Sequence, residues 1–147
     1  MSFFQQDIAE KLFHLLNSFH VSSKDIEKGM ELTQERLEIL FVLVNQGPQT
    51  INQLAEIEQV SAPAITRTVK ALEKLGYAIK SRSKTDQRVV YVAPTRKSQQ
   101  TIEAIRTQQK RLVGDLLQNF SKDEYKLLDD GVSLLLSNSN KSKAKRG

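Results

Sequence analysis

Residues 61–75 read SAPAITRTVKALEKL, and this stretch decides how the rest of the chain is interpreted. At roughly 100° per residue, three apolar side chains share one side of a helix: Ile65, Val69 and Leu72. The opposite side carries Pro63, Arg67, Lys70 and Lys74. Ser61 suits the N-cap, and Gly76 suits the position just past the helix end. The stretch therefore predicts a helix with one apolar and one cationic face.

A second, shorter helix precedes this one. Thr50-Ile-Asn-Gln53 fits the reciprocal capping pattern and opens a helix that we expect to end near Ile57. Only Glu58, Gln59 and Val60 then separate it from Ser61. Two helices joined by about three residues, the second with a basic face, indicate a helix-turn-helix.

Two short runs follow the basic helix. Tyr77–Arg82 and Val89–Ala93 are rich in residues that favour strands, and the polar segment Ser83–Arg88 separates them. The pattern predicts a β-hairpin with a charged tip, which beside a helix-turn-helix is a wing.

Further helices flank this winged region. Apolar spacing predicts a first helix from about Phe3 to Phe19, and Thr33 suits the N-cap of another that ends near Asn45. Val21–Leu32 has weaker patterning and is predicted to be a loop with one helical turn at most. Thr95 suits the cap of a long helix, and the capping box Ser121–Glu124 opens a last one.

The predicted fold is mostly α with a small β-hairpin wing: a winged helix-turn-helix core with N- and C-terminal dimerisation helices. The expected parts are a dimerisation helix and loop at 1–29, a DNA-binding region at 30–97, dimerisation helices at 98–136, and a disordered basic tail at 137–147. The terminal helices carry more apolar surface than one small core needs. We therefore expect them to pair with a second copy in a two-fold dimer.

Positive charge is concentrated in the winged region. The whole chain has 147 residues and a formal net charge of +5, yet residues 61–97 alone hold nine Lys and Arg side chains against Glu73 and Asp86. A focused positive field favours a polyanionic partner, and double-stranded DNA fits best.

Several classes of protein are disfavoured. The chain has no cysteine, so disulfides and thiolate metal sites are excluded, and no apolar run approaches the roughly 18 residues of a membrane span. We expect a cytoplasmic protein that is not an enzyme and has no cofactor and no metal site. The two histidines, His14 and His20, have neither a third soft ligand nor a nucleophile motif beside them.

The motifs together resemble the multiple-antibiotic-resistance regulator (MarR) family. They are Leu32-Thr33-Gln34, Gln53-Leu54-Ala55, Ala64-Ile65-Thr66-Arg67, Leu72-Glu73-Lys74-Leu75-Gly76 and Asp86-Gln-Arg88. Two positions depart from the family pattern. Pro94-Thr-Arg-Lys-Ser98 stands where Leu-Thr-x-x-Gly is common, and Gln87 replaces a frequent arginine.

The resemblance implies a homodimeric transcription factor, usually a repressor, whose hold on DNA is often weakened by a small-molecule effector. It also implies that the helix at 61–75 enters the major groove and that the wing reaches the minor groove. Arg88 would then contact the minor groove, with Asp86 orienting it.

The chemistry of each side chain assigns roles within that complex. Arg67 is the main candidate for reading a base, because a guanidinium can pair with guanine as a fork. Small residues near the helix start allow close approach to bases: Ser61, Pro63, Ala64 and Thr66. The remaining cations suit phosphates: Lys70, Lys74, Arg82 and Lys84.

The expected function is a sequence-specific regulator that binds a pseudo-palindromic operator as a homodimer and represses until a ligand releases it. Two alternatives stay open at this point. The winged region could be a protein-interaction module, since a fold does not dictate function. It could also be an architectural DNA binder without a preferred sequence.

Overall fold

In the computed structural model of this chain, residues 1–28 and 31–145 are described. They form the following helices and strands: α1 (Phe3–Lys28), α2 (Gln34–Gln46), α3 (Ile51–Glu58), α4 (Ala62–Lys74), β1 (Ala78–Arg82), β2 (Val90–Pro94), α5 (Arg96–Leu116) and α6 (Lys122–Ala144). The strands pair as a two-stranded antiparallel hairpin. The predicted fold class, mostly helical with a small wing, is confirmed.

Hydroxyl side chains fix where the central helices begin. Thr33 caps α2, and Thr50 and Gln53 form the predicted capping box at the start of α3. Ser61 Oγ accepts the N–H of Ala64 at 3.3 Å and caps α4, where Pro63 occupies the first turn. Each cap satisfies a backbone donor that the helix itself leaves free. The sequence therefore determines the residue at which each of the three helices begins.

The core lies where α2, α3, α4 and the hairpin meet. Ile65, Val69 and Leu72 are buried, as their shared side of α4 predicts. They pack in one cluster with side chains from the other elements: Leu32, Leu37, Ile39, Leu40, Leu43, Leu54, Ala78, Val92, Ile102 and Ile105. Burial of this one face of α4 leaves its other face to solvent.

The core extends into the first half of α5. Ile102 and Ile105 are fully buried members of the cluster. The winged region therefore continues past residue 97, and the boundary predicted there cuts through one core. Spacing within the helix reveals an apolar stripe but not which neighbour covers each part of it.

The hairpin has an additional partner that the sequence pattern does not reveal. Ile79 pairs with Ala93 and Ser81 with Tyr91 across the two strands. Gln49, in the connection between α2 and α3, forms an isolated antiparallel bridge to Val92. The two backbone hydrogen bonds of this bridge measure 3.0 and 2.7 Å. The wing is thereby tied to the helix-turn-helix through backbone as well as through side chains.

α1 is longer than predicted. The loop expected at Val21–Leu32 is helical as far as Lys28, and Gly29 and Met30 lie outside the described residues. Ser23 is buried and donates to the carbonyl of His20 at 3.1 Å, so its hydroxyl is satisfied within the helix. Serine is not a strong helix former, yet here its side chain bonds back to the preceding turn and its buried polar group is paired.

The prediction of a disordered tail is wrong for residues 137–144, which continue α6. The helix opens with a capping box in which Ser121 and Glu124 each accept the other's backbone N–H. Once a helix is nucleated, each added residue costs little, so a polar segment can extend it. Lys141 and Lys143 lie in the last turn, where positive charge is favourable. Arg146 and Gly147 lie outside the described residues.

The chain divides into a first compact unit, Met1–Leu112, and a second that begins at Val113. In the first unit, α1 exposes large apolar side chains along most of its length: Phe3, Phe4, Ile8, Phe13, Leu15, Leu16 and Val21. In the second, the hydroxyl of Tyr125 donates to the carbonyl of Leu117, and the rings of Phe120 and Tyr125 meet edge to face. That unit also exposes many apolar side chains: Val113, Leu116, Leu117, Leu127, Val132, Leu134, Leu135 and Leu136.

Charged side chains recur along the three long helices, α1, α5 and α6. Among residues 1–28 and 31–145, no helix is long and apolar enough to cross a membrane.

Candidate nucleic-acid interface

The solvent-facing side of α4 is cationic. Arg67, Lys70 and Lys74 are exposed, and they follow one another at the three- and four-residue spacing that places side chains on one face. Arginine and lysine at these positions have no acidic partner within 4.0 Å in the described part of the chain. The face therefore presents unneutralised positive charge along a rigid helix.

Small and polar side chains surround the start of α4. Ser61 and Pro63 are exposed, whereas Ala64 and Thr66 are half-buried. Ser61 Oγ is occupied by its cap, and Thr66 Oγ1 donates to the carbonyl of Ala62 at 3.0 Å. These four residues form a shallow surface rather than a set of free hydrogen-bonding groups. Such a surface permits close approach of a flat partner such as a base edge.

The wing tip is held by local hydrogen bonds around Ser83. Its Oγ accepts the N–H groups of Thr85 and Asp86, both at 3.3 Å. Asp86 Oδ1 accepts the backbone N–H of Arg88 at 3.0 Å and lies 4.0 Å from Nε of the same arginine. Asp86 thus orders the backbone beneath Arg88, whose side chain is 96% exposed.

The other two wing cations differ from each other. Arg82 Nη1 donates to the carbonyl of Gln87 at 3.3 Å, so part of this guanidinium closes the wing tip. An arginine has five N–H donors, and this bond uses one of them. Lys84 is exposed at the tip. The eleven predicted site residues therefore form two groups, one on α4 and one in the wing.

An ion pair between two other residues links α4 to the wing. Lys80 Nζ, on β1, lies 3.5 Å from Glu73 Oε1, on α4. That oxygen is buried and lacks a hydrogen bond of good geometry within the described residues, so the nearby ammonium is its main compensation. Glu73 is the only acidic residue between Ser61 and Lys84, and its carboxylate contacts a lysine of the wing.

Arg36 is a further cation near α4, and no pattern in the sequence singles it out. A groove of about 340 Å³ runs between the start of α2 and α4, and it is lined by Thr33, Glu35, Arg36, Ala64, Arg67, Thr68 and Ala71. Arg36 Nη1 donates to the carbonyl of Glu31 at 3.4 Å, and the side chain is half-buried. The periodicity of α2 identifies its buried face only. Arg36 and Arg67 line the same groove because of the way α2 crosses α4.

Carboxylates gather on another side of α4. Glu35, Glu38 and Glu58 line a pocket of about 110 Å³ with Ile39, Val60 and Ile65. Burial raises the pKa of Glu58, and a hydrogen bond with Glu38 and the negative charge of that residue raise it further. Glu35 also lines the groove that holds Arg36 and Arg67, so the acidic pocket adjoins that groove along α4.

Comparisons with known proteins agree with this geometry. Residues 22–105 match the family described as Transcriptional regulator SarA/Rot. The chain is 28% identical over 141 residues to the uncharacterized HTH-type transcriptional regulator YdgJ of Bacillus subtilis, covering 96% of this chain and 86% of that one.

Solved structures share the fold. A MarR family protein from Bacillus stearothermophilus superposes with a TM-score of 0.75 at 20% identity, covering 95% of this chain and 99% of that one. FabT of Streptococcus pneumoniae, solved in complex with DNA, superposes with a TM-score of 0.67 at 21% identity, covering 93% and 98%. The resemblance to MarR-type regulators that the motifs predict is confirmed.

The acidic pocket makes stability depend on pH. Because the pKa of Glu58 is raised from its ordinary value of 4.5, the folded protein holds this proton more tightly than the unfolded chain does. The free energy of unfolding therefore falls as pH rises through that pKa, and the cost persists at pH 7. We expect Glu58→Gln to raise the melting temperature at pH 7, with a smaller gain near pH 4.

Thermal unfolding between pH 4 and pH 7 measures this gain. Glu56→Gln removes the same charge from an exposed position on the same helix and serves as the control. An equal gain from both variants at every pH would indicate a general net-charge effect and contradict the role assigned to the pocket.

Proposed function

Because the chain belongs to the SarA/Rot family of transcriptional regulators, we propose that it regulates transcription by binding double-stranded DNA through α4 and the wing. The observation that carries the proposal is the division of α4 into a fully buried apolar side and an exposed side bearing Arg67, Lys70 and Lys74. A protein-binding surface usually excludes lysine from its centre, so this face favours a polyanion. The family description also supports the prediction that the chain is not an enzyme.

In this proposal α4 lies in the major groove. Its 13 residues span about 20 Å at 1.5 Å per residue, and an α-helix with its side chains is about 10 to 12 Å across, which suits a groove about 12 Å wide. Arg67 reads a guanine, while Ser61, Pro63, Ala64 and Thr66 let the helix start approach the bases closely. Lys70 and Lys74 contact phosphates, and Arg36 adds a phosphate contact from the groove it shares with Arg67.

The wing lies over the neighbouring minor groove. Arg88 enters that groove, because a narrow minor groove concentrates negative potential and Arg88 is almost fully exposed. Asp86 holds the backbone that presents it. Lys84 and the free donors of Arg82 contact phosphates beside the groove.

The active form in this proposal is a homodimer. Rows of Leu and Phe side chains are exposed on α1 in the first unit and on the helical segments of the second. A protein that stays monomeric in water rarely exposes so much apolar surface. Pairing with a second copy covers such rows, and two copies of α4 then read two half-sites. The operator is therefore roughly palindromic, with half-sites about one helical turn apart.

The regulatory part of the proposal rests on the resemblance to MarR-type regulators. The dimer represses transcription while bound to its operator, and a small-molecule effector weakens that binding. FabT is a protein of similar fold that was solved on DNA, which supports the DNA-binding part of this mechanism.

Binding to DNA should depend strongly on salt. If the dimer neutralises about six to ten phosphates, its affinity falls about 10³- to 10⁵-fold between about 50 and 200 mM salt. Selection of bound duplexes from random DNA, followed by fluorescence polarisation at several salt concentrations, measures both the preferred sequence and this slope. A flat salt response would favour a protein-interaction module, and a steep response without a preferred sequence would favour an architectural DNA binder.

Arg67 and Lys70 should behave differently when truncated. Arg67→Ala removes a base contact, so we expect it to cost about 1 to 3 kcal/mol on the selected duplex and to relax preference at one position in each half-site. Lys70→Ala removes a phosphate contact and should weaken selected and random duplexes alike. The two variants control for each other, and equal weakening of both duplexes by Arg67→Ala would remove its base-reading role.

A charge placed in the exposed apolar rows should oppose dimerisation. The side chain of Leu134 is 73% exposed, so Leu134→Lys should leave the fold of each chain intact while burying a charge in the proposed interface. Sedimentation should show the wild type as a dimer at micromolar concentration and the variant shifted towards monomer. Ser133→Lys adds the same charge at the neighbouring exposed position and is the control. A wild-type monomer would contradict the proposed assembly.

A further inference from the structure

The end of α4 closes with a Schellman motif. Tyr77 N–H donates to the carbonyl of Leu72 at 2.8 Å, and Gly76 N–H donates to the carbonyl of Glu73 at 3.0 Å. Gly76 has φ = 80°, the left-handed conformation that this motif requires. The motif satisfies two of the last carbonyls of the helix. The carbonyls of Leu75 and Gly76 need partners from elsewhere.

Those partners come from the start of α5. Lys97 Nζ donates to the carbonyl of Leu75 at 2.7 Å, and Thr95 Oγ1 donates to the carbonyl of Gly76 at 2.7 Å. Thr95 N–H also donates to the carbonyl of Tyr77 at 3.3 Å. Three hydrogen bonds therefore join the end of α4 to a segment about twenty residues further along the chain. We call this set of bonds the α4–α5 clamp.

Lys97 makes a second contact within the clamp. Its Nζ lies 4.4 Å from the centre of the Tyr77 ring, which is cation–π geometry. Its Cδ passes 3.8 Å from the point that a Cβ on Gly76 would occupy. A positive charge at the C-terminal end of a helix is also favourable to the helix dipole. The side chain is thus engaged along its stem and at its ammonium group.

The base of the clamp is anchored in the core. Ser98 is fully buried, and its Oγ donates to the carbonyl of Thr95 at 2.7 Å. One and two turns further along α5, Ile102 and Ile105 are in the core, and Arg106 donates to Asn45 on α2. The clamp therefore connects the end of α4 to the part of α5 that packs in the core.

We propose that Lys97, supported by Thr95, is a positioning residue that sets the direction of α4 and thereby the DNA specificity, without itself touching DNA. This inference rests on the proposed function. A helix about 20 Å long that tilts by roughly 10° about one end moves its other end by about 3.5 Å. Hydrogen bonds to base edges tolerate only a few tenths of an ångström. Base reading is therefore more sensitive to release of the clamp than phosphate contact is.

The test is Lys97→Met, which keeps an unbranched stem and removes the ammonium. Full-length wild type and variant are titrated by fluorescence polarisation with a duplex selected by the wild type and with a random duplex of equal length. We expect the ratio of the two affinities to fall about tenfold, the random duplex to bind within about twofold of wild type, and the salt slope to stay unchanged. Lys97→Arg, which retains a cation and donors, should recover most of the ratio.

Two lysines provide matched controls. Lys74→Met, in the last turn of α4, removes a proposed phosphate ligand, so it should weaken both duplexes and make the salt slope shallower by about 1 per phosphate that is no longer neutralised. Lys110→Met removes an exposed lysine from α5 and should change neither the ratio nor the slope.

The outcomes separate the inference from the function on which it rests. If Lys97→Met behaves like Lys74→Met, then Lys97 is a phosphate ligand and the inference is overturned. If Lys97→Met lowers the melting temperature but leaves the ratio unchanged, then the clamp is only structural and the inference is again overturned. A wild type that shows no preference for any selected duplex would overturn the proposed function itself, whereas a normal wild-type preference preserved in Lys97→Met would overturn the inference alone.

Discussion

Burial of one side of α4 is the constraint on which the rest of the structure depends. Ile65, Val69 and Leu72 are in the core with at most 2% of their surface exposed. Apolar burial contributes roughly 1.5 to 3 kcal/mol for each such side chain, which far exceeds the energy of any surface charge on the same helix. The side of α4 that faces the core is therefore set by its apolar stripe. The cations on the opposite side of α4 are exposed as a result, and they need no interactions of their own to stay exposed.

The parts of the fold that sequence predicts well are those decided by local chemistry. Thr33, Thr50 and Ser61 cap helices because their hydroxyls bond to N–H groups within the same turn, and that chemistry is readable from spacing alone. The stripe of α4 and the two wing strands are readable for the same reason. Two helices extend further than the composition of their last segments predicts. Residues 20–28 and 137–144 are helical because a strong helix precedes each of them.

The parts that sequence does not predict depend on contacts between distant segments. Arg36 faces the groove of Arg67 only because α2 crosses α4, and Gln49 bridges to Val92 across 43 residues. The bonds from Thr95 and Lys97 to the end of α4 belong to the same class. A lysine in a basic stretch is naturally assigned to phosphate. Its structural partner, a backbone carbonyl, has no sequence signature at all.

The hairpin also has a bearing on solubility. Gln49 occupies part of the outer side of β2, whereas β1 keeps one edge without a strand beside it in the described residues. Open strand edges invite pairing with other chains and hence aggregation. Lys80 and Arg82 alternate along β1, and charged side chains on an edge discourage such strand addition. Lys80, which pairs with Glu73, and Arg82, a proposed phosphate contact, thus also protect a small, exposed sheet from pairing with other chains.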